Sequence, residues 1–389
     1  PHPQIQPLAV IGPLARSFDY PAPDCPGPAI GFRVRVPVGL RHETGLVVGD
    51  ASESAFAGGR LRRASRALDD EPLLGEEDLA LVRFTSDYYH HPIGEVAALA
   101  LPVALRHGKP LATAAETVRA TPAAPEPGEL TRRAPKQAAL LARLLEAGDT
   151  GIAADVLTED VPGWRRTARP LIDKRAIRID VTRAAERADE PACIHGPELN
   201  SDQRRAVTAV STAAGFTAFV LDGVTGSGKT EVYLQLIEAT LNAGHQVLVL
   251  VPEIGLTPQL VRRFEHRLGF RPAAMHSSLT DNERLSAWRR ARSGAARLLV
   301  GTRSAVFTPM PNLGLVIVDE EHDHSFKQQE GRRYSARDLA IVRAKRRDVP
   351  VILGSATPTL ELLKHCEDGS YTRLVLPQRA GGASPPRLC

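Results

Sequence analysis

The sequence predicts an α/β fold: a mostly parallel sheet with helices on both faces, preceded by a small β-rich module and a winged helix. Three observations carry this. Between residues 195 and 380, apolar strand-like runs alternate with helix-like runs. Residues 1–106 hold short β-like runs punctuated by Pro and Gly. Residues 135–182 read as helix, helix and then a strand. Alternation of strand and helix implies crossover connections and parallel strands, whereas short strands between turn residues imply a small barrel or sandwich.

In the β-rich module the clearest runs are Phe32-Arg33-Val34-Arg35-Val36 and Gly45-Leu46-Val47-Val48. A helix is expected over 76–89, with Leu79, Val82 and Tyr89 at helical spacing. Residues 107–134 are rich in Ala, Thr and Pro and read as a linker. A winged helix is expected over 135–190. Its first helix, 136–147, sets Leu140, Leu141, Leu144 and Leu145 on one side, a second spans 163–173, and 176–179 alternates like a strand. Such modules often bind DNA, and Arg165, Arg166 and Arg169 suit phosphates, although a solvated charged face reads equally well. The parallel-sheet region, 195–389, offers strands at 217–221, 246–251, 297–300, 314–318, 349–353 and 371–376. Helices are expected over 230–242, 257–268, 281–293, 335–347 and 358–366.

Bulk properties bound the function less sharply. With 389 residues, two or three domains are expected. The balance of 49 Lys+Arg against 45 Asp+Glu permits nucleic-acid binding without requiring it. Cys25, Cys193, Cys366 and Cys389 form no C-x-x-C pair, so neither a zinc site nor a disulfide framework is expected, and a reducing compartment is. No apolar run has the length of a membrane span, so a cytoplasmic location is expected. The chain opens on Pro1 and stops at Cys389, and both ends read as cuts.

The most informative stretch is Gly223-Val224-Thr225-Gly226-Ser227-Gly228-Lys229-Thr230, lying between an apolar strand and a helix. Glycines let backbone N–H groups wrap a polyphosphate, and the following helix N-terminus adds favourable dipole charge. Lys229 is expected on the β/γ-phosphates and the Thr230 hydroxyl on Mg²⁺, with ATP as the nucleotide. The second signal is the strand 315–318 running into Asp319-Glu320-Glu321-His322. Asp319 is expected to hold Mg²⁺ and Glu320 to polarise the attacking water. Gln203 suits reading adenine through its amide; alone, it fits equally well a helix start capped by Ser201 or Asp202. Val251-Pro252-Glu253, Gly301-Thr302-Arg303-Ser304 and Gly354-Ser355-Ala356-Thr357 each follow a strand on the same expected edge. Small and hydroxyl residues there suit a phosphate chain, and each alone is as readily an ordinary turn. Together they point to a DNA translocase, against an alternative of a P-loop ATPase acting on protein or small molecules.

These residues resemble the family of primosomal protein N′ (PriA), bacterial replication-restart helicases of superfamily 2. The resemblance spans 221–233, 251–259, His276-Ser277, 301–307, 319–338 and 354–358. It implies a RecA-like first helicase lobe that works with ATP and Mg²⁺, 3′→5′ movement, and recognition of stalled or repaired forks to start replisome reloading. It implies an aromatic-rich loop at 326–337 that couples DNA contact to hydrolysis through Gln328, Gln329, Arg333 and Tyr334, with Thr302 and Arg303 also on DNA. It implies a 3′-end-binding domain in which Phe18, Asp19 and Tyr20 grip a terminal nucleotide, with Arg62 where the family carries Lys. Read without it, Phe18 and Tyr20 are core residues. The resemblance further implies forked and single-stranded DNA, primosome proteins and single-stranded DNA-binding protein as partners, and a monomer with no membrane association. The family's second lobe and zinc module are not found here, so no zinc ligands are expected in this chain, and Arg332 stands where many members have an aromatic. A fork-binding scaffold without turnover is the alternative.

Overall fold

The computed structural model describes all residues except 1–4, 13, 15–16, 22–28, 50–60, 112–113, 131–133, 162, 184–187, 191–195 and 380–389. Cys25, Cys193 and Cys389 lie outside the described residues. The chain forms two compact units, Pro1–Pro110 with Glu186–Cys389, and Leu111–Ala185. No helix among the described residues is long and apolar enough to cross a membrane.

The first unit is built on a parallel sheet of seven strands. In spatial order they are Ala273–Met275, Leu298–Gly301, Gln246–Leu250, Leu313–Val318, Val351–Ser355, Ala218–Gly223 and Thr372–Leu376. The central strands are continuous Val/Leu/Ile runs because both faces are covered: every residue of Gln246–Leu250 is buried. Val249 pairs with Val300 on one side and Ile317 on the other. All six expected strands are present. The seventh, Ala273–Met275, is three residues long and carries no periodicity to detect.

Side-chain caps start the covering helices where the sequence places them. Thr257 accepts from Leu260 N, Thr280 forms a capping box with Glu283, and Ser335 accepts from Asp338 N. The cap ahead of Ser201–Ser211 differs from the expected Ser201 or Asp202: Asn200 accepts from Gln203 N, and Ser201 is already helical.

The N-terminal β-rich part is one five-stranded antiparallel sheet in the order Phe18–Pro21, Ile5–Val10, Arg41–Val47, Arg33–Val38, Arg66–Ala67. Leu8, Val10, Tyr20, Val34, Val36 and Val47 fill its core. Helices Glu76–Tyr89 and Ile93–Ala100 follow. This part belongs to the same compact unit as the parallel sheet, and buried polar groups explain why. The Trp288 indole N–H donates to the Ala100 carbonyl at 2.8 Å. Arg343, fully buried, donates to the Val306 and Thr308 carbonyls at 2.7 Å and sits 4.0 Å from Asp78. Breaking the joint leaves the Trp288 N–H without its acceptor, at a cost of roughly 1–3 kcal/mol, and takes Asp78 from Arg343, which keeps both its carbonyls.

The second unit corrects the expected linker. Residues 107–134 contain the strand Ala114–Ala120, which pairs antiparallel with Ile177–Arg183 and with Ile152–Ala153. Thr117 and Val118 favour a strand but the flanking Ala, Glu and Arg do not, so the long-range pairing decides it. Helices Pro135–Glu146, Ala154–Asp160 and Trp164–Asp173 complete the unit around Val118, Leu140, Leu141, Leu144, Leu157, Trp164 and Leu171. Leu145, expected inside, is exposed, because the buried stripe runs through Leu140, Leu141 and Leu144.

Gly94 sits where the helix Ile93–Ala100 meets the strand Ile5–Val10, and a Cβ there would strike the Val10 carbonyl. Gly94→Ala is therefore expected to destabilise the protein by about 1–3 kcal/mol, as overpacking against fixed backbone does. Thermal unfolding of the two forms checks this.

Candidate functional site

Two loops meet at the carboxyl edge of the parallel sheet. Ala218–Gly223 and Leu313–Val318 run in the same direction, separated by Val351–Ser355, so the segments after them emerge on one edge. Ligands of open α/β sheets bind there. Lys229 opens the helix Lys229–Asn242, and the Gly228 before it has φ 84°, a left-handed turn that suits glycine. Lys229 is largely buried; its Nζ donates to the Gly223 carbonyl at 3.0 Å and lies 3.4 Å from Glu320 Oε1.

Asp319 is held by Tyr233, whose hydroxyl donates to Oδ1 at 2.9 Å. Burial raises the Asp319 carboxyl above its ordinary value; the Tyr233 hydrogen bond opposes this, the Glu320 charge adds to it, and Lys229 counters. Tyr233 is itself raised well above its ordinary value, first by burial and then by Asp319, so it stays protonated as a donor. Its hydroxyl lies against Gly354, where a Cβ would collide with it. Glu320 has φ 47°, a conformation uncommon for a side chain of its size and held by its neighbours. Those neighbours are well fixed. Buried Glu321 accepts from Arg337 Nη1 at 3.0 Å and Thr359 N at 2.9 Å, and His322 Nδ1 meets Ser355 Oγ at 2.8 Å.

Residues 224–230 with Arg263, Asp319 and Glu320 enclose a cavity of about 320 Å³. Thr225 and Gly226 are exposed at its mouth. The Ser227 hydroxyl is buried without a hydrogen-bond partner. An unsatisfied donor, a lysine, a backbone turn at a helix N-terminus and paired carboxylates fit a nucleotide triphosphate with its metal ion. Thr230 and Asp319 would hold the metal, which neutralises phosphate charge.

Gln203 has a structural part in the loop itself. Its Nε2 donates to the Ser227 carbonyl at 2.9 Å and its Oε1 accepts from Asn200 N at 3.0 Å. Through these bonds Gln203 braces the phosphate loop, and each end of the amide keeps a second donor hydrogen or acceptor lone pair. Tyr233 was legible in principle: it lies four residues after Lys229 and so on the same helix face. Arg263 comes from a separate helix, Pro258–Leu268, and no local pattern marks it.

A second cavity of about 570 Å³ is lined by residues that include Thr302, Arg303, Arg284, Gln328, Arg332 and Tyr334. Thr302 is buried; Arg303 donates to the Ser325 carbonyl at 3.0 Å and approaches Glu253 at 3.6 Å. Residues 327–335 form a small hairpin, closed by a Lys327–Ser335 bridge and by Gln328 N donating to Tyr334 O at 2.9 Å. Gln329 and Arg333 are exposed on it, and Gln328 is half-buried. Tyr334 departs from the expected DNA contact: it is 5% exposed and packs edge-on against Phe307, with burial pushing its phenol up to about 12. Its ring belongs to the core, not to a stacking surface.

On the N-terminal sheet, Phe18 is 39% exposed, Asp19 is half-buried and Tyr20 is 7% exposed. Alternation along the strand puts Phe18 and Tyr20 on one face, and only Phe18 reaches the surface. The Tyr20 hydroxyl donates to the Pro37 carbonyl at 3.1 Å, so Tyr20 supports the strand from inside instead of facing a ligand. Arg62 donates to Gly39 O at 2.7 Å, and its charge acts on Tyr20.

Comparison with known proteins agrees with this geometry. Residues 8–102 match the family model "3'DNA-binding domain (3'BD)", and residues 200–365 match "DEAD/DEAH box helicase". The two matches imply DNA binding, and the second implies nucleotide and magnesium use in general. A replication restart protein PriA of Haemophilus influenzae is 40% identical over 392 residues, covering 98% of this chain and 53% of the relative. The Treponema pallidum protein of the same name is 31% identical, covering 97% of this chain and 47% of the relative. The Bacillus subtilis one is 40% identical over 266 residues, covering 67% of this chain and 33% of the relative. The chain thus spans about half the length of the curated relatives it matches. It belongs to the replication restart protein PriA family.

Proposed function

We infer that this chain carries the nucleotide-binding lobe and the DNA-end-binding module of an ATP-dependent DNA helicase. The protein moves 3′→5′, recognises stalled or repaired forks and starts replisome reloading. One observation supports this above the others: Lys229 lies 3.4 Å from Glu320 in a cavity lined by the whole glycine-rich loop and Asp319. Lys229 and the backbone of 226–230 bind the phosphates. Thr230 and Asp319 hold Mg²⁺, and Glu320 orients the attacking water. The names of the relatives support restart as the process.

DNA contact is divided between two surfaces. Phe18, exposed on the N-terminal sheet, stacks on a terminal base, and Asp19 and Arg62 add to the grip. Arg303, Gln328, Gln329 and Arg333 meet the phosphate backbone of a single strand. The Leu111–Ala185 unit serves as the winged helix. Primosome proteins and single-stranded DNA-binding protein are its partners, and it acts as a monomer. A scaffold that binds forks without turnover is separated from this reading by assay.

Lys229→Ala is expected to abolish DNA-stimulated ATP hydrolysis in the full-length protein while leaving binding to a fork with a free 3′ end intact. Hydrolysis and fluorescence anisotropy measured on the same preparation check this. Equal loss of both contradicts the division, and a wild type that binds forks without hydrolysing ATP favours the scaffold. Tyr233→Phe removes a buried donor from Asp319. An unsatisfied buried group costs roughly 1–3 kcal/mol, so hydrolysis is expected to fall about ten-fold. Steady-state kinetics at saturating Mg²⁺ check this.

A further inference from the structure

Arg263 is an uncommitted cation on the wall of the phosphate-loop cavity. It lies in the second turn of the helix Pro258–Leu268 and borders the cavity of about 320 Å³ together with residues 224–230, Asp319 and Glu320. It is exposed, and among the described residues it has neither a hydrogen bond nor an ion pair. Lys229, the other cation there, is already engaged by the Gly223 carbonyl at 3.0 Å and by Glu320 at 3.4 Å.

The helix that carries Arg263 is pinned to the helix that follows the phosphate loop. Arg267, one turn further on and so on the same side as Arg263, is buried and lies 3.0 Å from Glu238 and 3.7 Å from Glu231. Both glutamates belong to the helix Lys229–Asn242. Gly196 covers this cluster so closely that a Cβ there would strike Glu231 Oε1 at 2.5 Å and Arg267 Cζ at 2.7 Å. Burial keeps water away and strengthens the attraction. Leu260, Phe264 and Leu268 of the same helix pack into the core of the lobe. The backbone at Arg263 is therefore fixed relative to the loop. A helical side chain leans toward its helix N-terminus, and this helix starts at the carboxyl edge of the sheet, so Arg263 leans toward the edge where the loop lies.

A polyphosphate carries more negative charge than one metal ion and one lysine neutralise, and here the lysine is shared with Glu320. The acidic groups on the same wall are taken: Asp319 by Tyr233, and Glu320 by Lys229. A guanidinium offers a planar fork of donors that matches two phosphate oxygens, and hydrogen bonds between charged groups are the stronger kind.

We propose that Arg263 is a nucleotide-binding residue whose guanidinium grips the phosphate chain, and that the Arg267–Glu231–Glu238 cluster holds its helix in place for that contact. The inference rests on the nucleotide reading of the cavity and adds a contact from outside the glycine-rich loop. Bound nucleotide thereby ties the helix Pro258–Leu268 to the phosphate loop.

The test uses the full-length protein as wild type, Arg263→Ala, Arg263→Lys and Arg262→Ala. Arg262 is exposed on the same helix and outside the cavity wall, so it controls for net charge. Isothermal titration calorimetry in the presence of Mg²⁺ measures affinity for a non-hydrolysable ATP analogue and for inorganic tripolyphosphate. Arg263→Ala is expected to weaken both by roughly ten-fold, the lower end for hydrogen bonds to a charged group because Arg263 is open to solvent. Arg263→Lys is expected to recover part of the loss, since it keeps the charge and gives up the fork. Arg262→Ala is expected to match wild type. Arg263 has no partner in the fold to lose, so thermal unfolding of its variants is expected to match wild type, which assigns the loss to the contact. Unchanged affinity in Arg263→Ala overturns the assignment. So does equal weakening in Arg262→Ala, the mark of a diffuse charge effect. A loss seen with the ATP analogue and not with tripolyphosphate overturns it too, because the contact is then with the nucleoside. A wild type that binds neither ligand overturns the nucleotide reading of the cavity instead.

Discussion

An ammonium group and two carboxylates are gathered at one edge of a sheet whose central strands are buried on both faces. The arrangement persists only if each charge is compensated. Lys229 faces Glu320 and a backbone carbonyl; Asp319 takes a hydrogen bond from Tyr233. Burial and the Glu320 charge raise Asp319, and the lysine and the tyrosine oppose that rise and so favour the Asp319 anion. Removing one partner from such a group leaves an uncompensated charge, which costs far more than the contact contributes. The rest of the lobe follows from this need. The sheet order brings the two loops to one edge, Gly354 makes room for the Tyr233 hydroxyl, and Glu321 ties the acidic segment to Arg337 and Thr359.

The same segment reaches outward. Beyond His322 the chain forms the hairpin that borders the arginine-lined cavity, and the N-terminal part touches that hairpin at its far end. Its strand Phe18–Pro21 pairs with Ile5–Val10, and Val10 is the residue against which Gly94 packs. An exposed aromatic, a strand, a helix and the hairpin are thus in continuous contact within one compact unit. Contiguity of this kind is a route for coupling and not evidence of coupling in itself.

Much of the lobe was legible because its signals are local. A full glycine-rich loop between a strand and a helix, and apolar runs ending in acidic residues, mark the parallel sheet and its functional edge. Lys229, Asp319 and Glu320 were legible for the same reason. What failed to show was set by distant packing. The strand Ala114–Ala120 looked like linker because its two strand-favouring residues, Thr117 and Val118, sit in a run rich in Ala and Pro, and only Ile177–Arg183 beside them completes the pairing. Tyr334 was placed on DNA only by the family resemblance, and no local pattern shows that its ring meets Phe307 from another element. That Gln203 also braces Ser227 could not be read locally, because the two are 24 residues apart. Phe18 and Tyr20 share a face, so alternation does not tell them apart: Tyr20 packs into the core and Phe18, at the strand's first position, is exposed.

The most direct measurement is a crystal structure of this chain with Mg²⁺ and a non-hydrolysable ATP analogue. The account predicts the β- and γ-phosphates against the backbone of residues 226–230 and the Lys229 ammonium, with the metal between Thr230 and Asp319. A nucleotide bound elsewhere, or phosphates in this cavity with the metal remote from Asp319, would contradict it.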